Sequence, residues 1–189
     1  MGNYPLQTAA SAPQAKSKTQ NAFLLLHNYE ICASSGDLGP KRSAGDGQVP
    51  EGFYYIDRFH PNSNFYLALG LNYPNQSDRI LGRKGNLGGD IFIHGACVTI
   101  GCVPLTDDKI KELYILAVEA KASGQEKVPV HIFPCEMDKE GMSYLEANYK
   151  DDPVKITFWK SLKKAYDYFE TRKKLPLIVV RQDGSYLCN

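Results

Sequence analysis

The segment from Gly89 to Asp107 restricts the fold more than any other part of the chain. Ile91 to Ile93 is a short apolar run rich in β-branched residues and reads as the end of a buried strand. His94 and Gly95 follow at its terminus, and a turn-like stretch leads to Gly101 and Cys102. Thr106 or Asp107 is a good N-cap for a helix that begins near Asp108. One imidazole and one thiol are thus delivered eight residues apart, between the exit of a strand and the start of a helix. Fixed backbone on both sides can hold a nucleophile and its base together.

The residue types point to acyl transfer. A free thiol is only about a few per cent ionised near neutrality, and a neighbouring imidazole takes its proton to give a thiolate–imidazolium pair. The second ring nitrogen of His94 then needs an acceptor. No carboxylate adjoins it in sequence, so the Gly95 carbonyl is the expected partner. Glycine at 101 lets a substrate carbonyl approach the backbone, and the N–H groups of Gly101 and Cys102 are the expected oxyanion donors. The helix start beyond Thr106 is expected to depress the Cys102 thiol through its positive end. A buried structural cysteine beside a hydrogen-bonded histidine is the bland alternative. The residues alone leave both readings open.

The motifs also carry a family resemblance. Ile93-His94-Gly95 followed by Thr99-Ile100-Gly101-Cys102 resembles the active-site motif of the YkuD-type L,D-transpeptidases. It resembles more nearly the YafK-like branch, with its shortened gap and an isoleucine before Gly-Cys. Gly45 to Tyr54 is similar to the Pro-Glu-Gly hairpin of the family, here Pro50-Glu51-Gly52. Pro61-Asn62-Ser63, Leu69 to Pro74 and Ser77-Asp78-Arg79 also look like that branch, and the likeness covers roughly Phe23 to Phe133. By resemblance Cys102 is the nucleophile, His94 the base and the Gly95 carbonyl its orienter, with Thr99 at the substrate side of the motif. Two positions depart from the commoner pattern. Ile100 stands where those members carry a second histidine, and Val103-Pro104-Leu105 stands where they carry an arginine.

Composition narrows the remaining classes. With 189 residues and 43% hydrophobic content the chain is long enough for one ordinary globular core. A formal charge of +1 argues against a nucleic-acid partner. No apolar run approaches the ~20 residues of a membrane-spanning helix, so no stable membrane insertion is expected. Cysteines stand at 32, 97, 102, 135 and 188 without a Cys-x-x-Cys pair, which argues against a structural zinc site. Cys97 and Cys102 are close enough in sequence for a disulfide, or for a redox or metal site with His94. Cys32, Cys135 and Cys188 read as buried or incidental thiols. No cofactor is expected.

Taken in order, residues 1–20 are rich in Ala, Ser, Gln and Thr and read as a linker or disordered tail without the apolar core of a secretory signal. Because the resemblance implies an envelope location, an export segment is expected to have been removed or to lie outside the chain. Asn21 to Ala33 is expected to be a first strand centred on Phe23 to Leu26, and Phe53 to Phe59 and Phe65 to Leu71 are the next two. Asn72 to Gly88 reads as a loop that enters the site strand and lines the cleft with Tyr73, Asp78 and Arg79. The substrate class that the resemblance implies carries free carboxylates, and Arg79 is the candidate for them because its fork matches that group, against the plainer reading of a solvated charge or a salt bridge with Asp78; Tyr73 is a second candidate substrate contact. Asp108 to Ser123 and Val154 to Lys173 are amphipathic helices, Val128 to Phe133 is a strand, and Leu175 to Arg181 a last strand. His131, His27 and His60 read as satisfied core histidines. The resulting class is mainly β with helices (α+β), an L,D-transpeptidase-like β-sandwich or irregular barrel. Its catalytic domain is expected over 21–135, with 136–189 as a C-terminal extension packed on it.

The resemblance implies a cysteine acyl transferase acting on peptidoglycan stem peptides in the cell envelope, periplasmic or extracellular. Hydrolytic release of cross-links, or of a peptidoglycan-attached protein, at diaminopimelate shares the same first step. A non-catalytic peptidoglycan-binding module and a redox or metal site are the alternatives of other classes.

Overall fold

A computed structural model describes residues 22–189, so the tail expected over 1–20 lies outside the described residues. Strands β1 (Gly52–Ser63), β2 (Tyr66–Leu71), β3 (Phe92–His94), β4 (Val103–Pro104) and β5 (Val128–Ile132) form one mixed sheet in the order β4-β3-β2-β1-β5. All pairings are antiparallel except β3 with β4. A separate ribbon pairs β6 (Ile178–Val180) with β7 (Tyr186–Cys188). Four helices complete the α+β architecture: α1 (Gln76–Leu81), α2 (Asp107–Ala122), α3 (Lys139–Asn148) and α4 (Pro153–Arg172).

One face of the sheet buries Tyr54, Ile56, Leu69, Leu71, Ile93, Val103 and Val130 against Ile110, Leu113 and Ala117 of α2. Those three α2 residues recur at helical spacing, which is why one stripe of this helix is buried. A second cluster gathers Phe133, Met137, Leu145, Trp159, Leu162 and Tyr186. Glu51 joins the two, accepting hydrogen bonds from the Trp159 indole N–H (2.7 Å) and from the Gly39 N–H (2.6 Å). Burial pushes the Glu51 carboxyl up to about 7.

Three expectations are corrected. Residues 22–33 are not a strand. Phe23 makes one backbone bond, to the Lys173 carbonyl, and Leu24, Leu25 and Leu26 are exposed. An apolar run without alternation has no single face to bury, and the segment meets the sheet only further on, where the Cys32 N–H binds the Pro104 carbonyl of β4. The segment 72–88 is not all loop, because α1 starts there. Its N-cap Asn75 accepts from the Asp78 N–H while the Asp78 carboxylate accepts from the Asn75 N–H, each at 3.0 Å. Finally, His27 and His60 are not core residues. His27 pairs with Glu112 at the surface and His60 is exposed, whereas His131 is buried with its ring edge-on to Phe53.

Strand β1 is longer than expected and contains a register break. Ile56 faces Leu71 but Arg58 faces Gly70, so Asp57 is an extra residue and the side-chain alternation inverts there. Tyr54 and Ile56 point into the core before the break and Phe59 packs on the core after it. Arg58 is thereby turned out onto the opposite face of the sheet.

Candidate active site

The site lies at the β3–β4 edge of the sheet. Ile93 faces Val103 and His94 faces Pro104 in parallel register, so Cys102, immediately before β4, lies beside Phe92. Neighbours in register share a face. Cys102 and His94 therefore leave the same face of adjacent strands, one diagonal step apart.

His94 is 2% exposed, and its Nδ1 lies 2.6 Å from the Gly95 carbonyl oxygen. A carbonyl only accepts, so Nδ1 carries the proton and Nε2 carries the lone pair. The Phe65 ring lies over the imidazole at 4.7 Å between centroids. Burial holds His94 below its ordinary value, so the ring is neutral at pH 7. Gly95 is confined: a Cβ there would lie 2.5 Å from Asp107 Oδ1 and 2.8 Å from the Phe65 carbonyl oxygen. Asp107, the first residue of α2, also accepts from the Ala96 N–H at 2.9 Å. The helix start thus anchors the loop that leaves the histidine.

The thiol of Cys102 is half-buried and donates toward the Asp90 carbonyl at 3.7 Å. Its pKa is raised, first by burial, with the Asp90 charge acting the same way. The Phe92 N–H and the Lys41 ammonium pull in the other direction. This corrects the expectation that the start of α2 depresses the thiol. Cys102 stands five residues before the helix, where the dipole has faded, and desolvation prevails. A raised thiol beside a lowered imidazole makes the resting pair neutral, not thiolate–imidazolium.

Thr99 fastens the turn ahead of Cys102. Its hydroxyl donates to the Cys102 carbonyl (2.8 Å) and accepts from the Gly101 N–H (3.1 Å). The Gly101 N–H, one of the two expected oxyanion donors, is therefore engaged within the turn. Gly101 itself has φ +133°, and a Cβ there would lie 3.0 Å from the Gln48 carbonyl oxygen. The loop that brings Gln48 there is organised by Asp46, which accepts from Lys41 Nζ and from the N–H groups of Arg42, Ser43 and Gln48. Lys41 is 4% exposed, a buried cation whose charge reaches the thiol and which no motif in the sequence singles out.

The other expected contacts fall elsewhere. Tyr73 is in the core, its hydroxyl donating to the Leu87 carbonyl at 3.0 Å. Arg79 is exposed on α1. Asp78 is 1% exposed, accepts a hydrogen bond from the Tyr54 hydroxyl at 3.0 Å and faces Arg42 at 3.5 Å. Cys97 is bonded to Cys32 across 65 residues, which removes it from any redox or metal site with Cys102 and corrects the reading of Cys32 as incidental. Among the described residues no group of three or more His, Cys, Asp or Glu side chains is arranged to hold a metal.

Residues 18–156 fit the YkuD model, the L,D-transpeptidase catalytic domain, and the chain belongs to that peptidoglycan-related family. Among its relatives is YafK of Escherichia coli, which carries the L,D-transpeptidase name provisionally. YafK of strain K12 is 39% identical over 173 residues, 90% of this chain and 66% of the relative, and YafK of strain O157:H7 gives the same figures. The chain thus spans a little under two thirds of the length of these relatives. Among solved structures, the helical cell shape determining protein Pgp2 of Campylobacter jejuni is 21% identical with a TM-score of 0.42, covering 77% of this chain and 61% of that one. Bd1075 of Bdellovibrio bacteriovorus is 21% identical with a TM-score of 0.43, covering 87% and 71%. At those scores the two likenesses add nothing on activity.

Proposed function

We propose that the chain is a cysteine-dependent acyl-transfer enzyme of the cell envelope that acts on peptidoglycan stem peptides. The observation that carries the reading is the common face shared by Cys102 and His94, with the imidazole tautomer fixed by Gly95. Cys102 Sγ attacks an amide carbonyl at the diaminopimelate centre while His94 Nε2 takes the thiol proton. The tetrahedral oxyanion is met by the Cys102 N–H at the turn that Gly101 and Thr99 shape. His94 then passes its proton to the leaving amine, and a thioester remains on Cys102. Because both partners rest neutral, proton transfer accompanies attack and does not precede it.

An acceptor amine completes transpeptidation, and water completes hydrolysis. Hydrolytic release of a cross-link or of an attached protein is the second reading. It is favoured by Ile100, 89% exposed two residues before Cys102, where the commoner members carry a histidine, and by the lack of an arginine soon after Cys102. The domain reading, with 136–189 as an extension on the catalytic unit, is supported by the Trp159–Glu51 bond.

Incubation with defined muropeptides, followed by mass spectrometry, tests the proposal. The expected result is a mass adduct on Cys102 and products lost in Cys102→Ala. Retained muropeptide binding without product in the unsubstituted protein would instead make the chain a binding module.

A further inference from the structure

Arg58, Gly70 and Phe92 stand side by side on three neighbouring strands, and the same row ends at Cys102. The register break at Asp57 is what turns Arg58 onto this face. Its guanidinium lies over the Phe92 ring, 5.1 Å from the centroid. Glycine at 70 is what leaves room, because a Cβ there would lie 2.8 Å from Arg58 Nε and 3.0 Å from its Cβ. Three separate features, a bulge, a mid-strand glycine and an aromatic bed, therefore hold one cation on the row that contains the thiol.

That cation is met by a carboxylate supplied by the chain itself. Arg58 Nη1 binds Asp90 Oδ1 at 3.1 Å, and Nε binds Asp57 Oδ1 at 3.1 Å. The Asp90 side chain is 81% exposed, its residue has φ +54°, and its backbone carbonyl accepts from the Cys102 thiol. Asp90 thus touches the guanidinium with one end and the nucleophile with the other.

We propose that Arg58 is a specificity-determining residue that binds a free carboxylate next to the acyl carbon under attack, and that Asp90 holds its place until that carboxylate displaces it. The inference rests on the acyl-transfer reading only for the identity of the substrate, an α-carboxylate of the stem peptide. The guanidinium keeps a carboxylate partner through the exchange, since the incoming group replaces Asp90 on the same fork. It also frees the Asp90 loop from Arg58, so occupancy of the subsite is coupled to the surroundings of the thiol. Because β4 carries Val103 and Pro104 and no arginine, β1 provides the cation from the other side of the row.

Alkylation of Cys102 by iodoacetate and by iodoacetamide, read by peptide mass spectrometry, tests this without the natural substrate. The two reagents differ in one carboxylate at the reacting carbon. The ratio of the iodoacetate to the iodoacetamide rate is expected to fall about threefold or more in Arg58→Met, as befits a half-exposed ion pair. It is expected to fall likewise in Gly70→Ala, to recover partly in Arg58→Lys and to rise in Asp90→Asn. A ratio unchanged in Arg58→Met, or lowered in Asp90→Asn, overturns the proposal. These shifts in a protein that makes no product from muropeptides would overturn the substrate assignment while leaving the carboxylate subsite in place.

Discussion

The Gly95 carbonyl oxygen lies 2.6 Å from Nδ1 of the preceding residue, His94. That short link fixes the ring without a carboxylate, so no negative charge raises the basicity of the imidazole, and burial lowers it from 6.5. On the proposed mechanism His94 acts in its neutral form, so activity is expected to be lost as pH falls through a value below 6.5 and to stay flat above it until the thiol ionises. Phe65→Ala opens the ring to water and is expected to move the acid limb of kcat/KM upward. A limb that stays in place would show that the Phe65 ring does not set the basicity of His94.

Two glycines of the site are set by what surrounds them. Gly101→Ala places a Cβ 3.0 Å from the Gln48 carbonyl oxygen at φ +133°, and Gly95→Ala places one 2.5 Å from Asp107 Oδ1. Each is expected to cost on the order of 1–3 kcal/mol, or roughly 3–10 °C in Tm. Differential scanning calorimetry measures the loss, and Gly95→Ala is expected to be the worse of the two because its contacts, at 2.5 Å and 2.8 Å, are the shorter. Equal or negligible shifts would contradict the packing described.

Glu51 sets a pH dependence of stability. Its folded value of about 7 stands above the ordinary 4.5, so the folded state holds a proton that the unfolded chain has released. Its contribution is therefore fully present below pH 4.5 and is lost as pH rises toward 7, a change on the order of 3 kcal/mol. His131, lowered to about 4, works in the opposite sense, stabilising above 6.5 and losing that as pH falls. In Glu51→Gln the stability relative to the unsubstituted protein is expected to climb between pH 4.5 and 7, measured by urea unfolding at each pH. A constant difference across that window would mean that Glu51 is not protonated in the fold.

The Cys32–Cys97 bond closes a loop of 65 residues, for which chain entropy gives about 4 kcal/mol. The double substitution Cys32→Ser, Cys97→Ser is expected to lower Tm by roughly 8–16 °C at that cost. Reductant is expected to lower the Tm of the unsubstituted protein and leave that of the double variant unchanged. A reductant-independent Tm in both would argue against the bond in solution.

What was legible in the sequence was mostly local. The apolar stripe Ile110, Leu113, Ala117 predicts α2, and Trp159 with Leu162 predicts α4, because helical spacing is written into consecutive residues. Helix α1 was also legible in principle, since Asn75 and Asp78 have the spacing of a capping box, yet Gly and Pro nearby suggested a loop. The nonlocal facts were not readable. Pairing of Cys32 with Cys97 cannot be chosen from five cysteines by spacing, and nothing in β1 alone says that Asp57 inverts the alternation. Arg58 reaches the row of Cys102 only once three strands are aligned, so Arg79 was the arginine that sequence proximity suggested.

The segment 22–33 is bound at both ends. The Phe23 N–H donates to the Lys173 carbonyl at the close of α4, and Cys32 is bonded to Cys97 in the loop between His94 and Cys102. The site edge of the sheet is therefore tied to this segment twice, through sulfur at Cys97 and through the Cys32 N–H on the Pro104 carbonyl, so reduction removes the covalent tie and leaves the hydrogen bond.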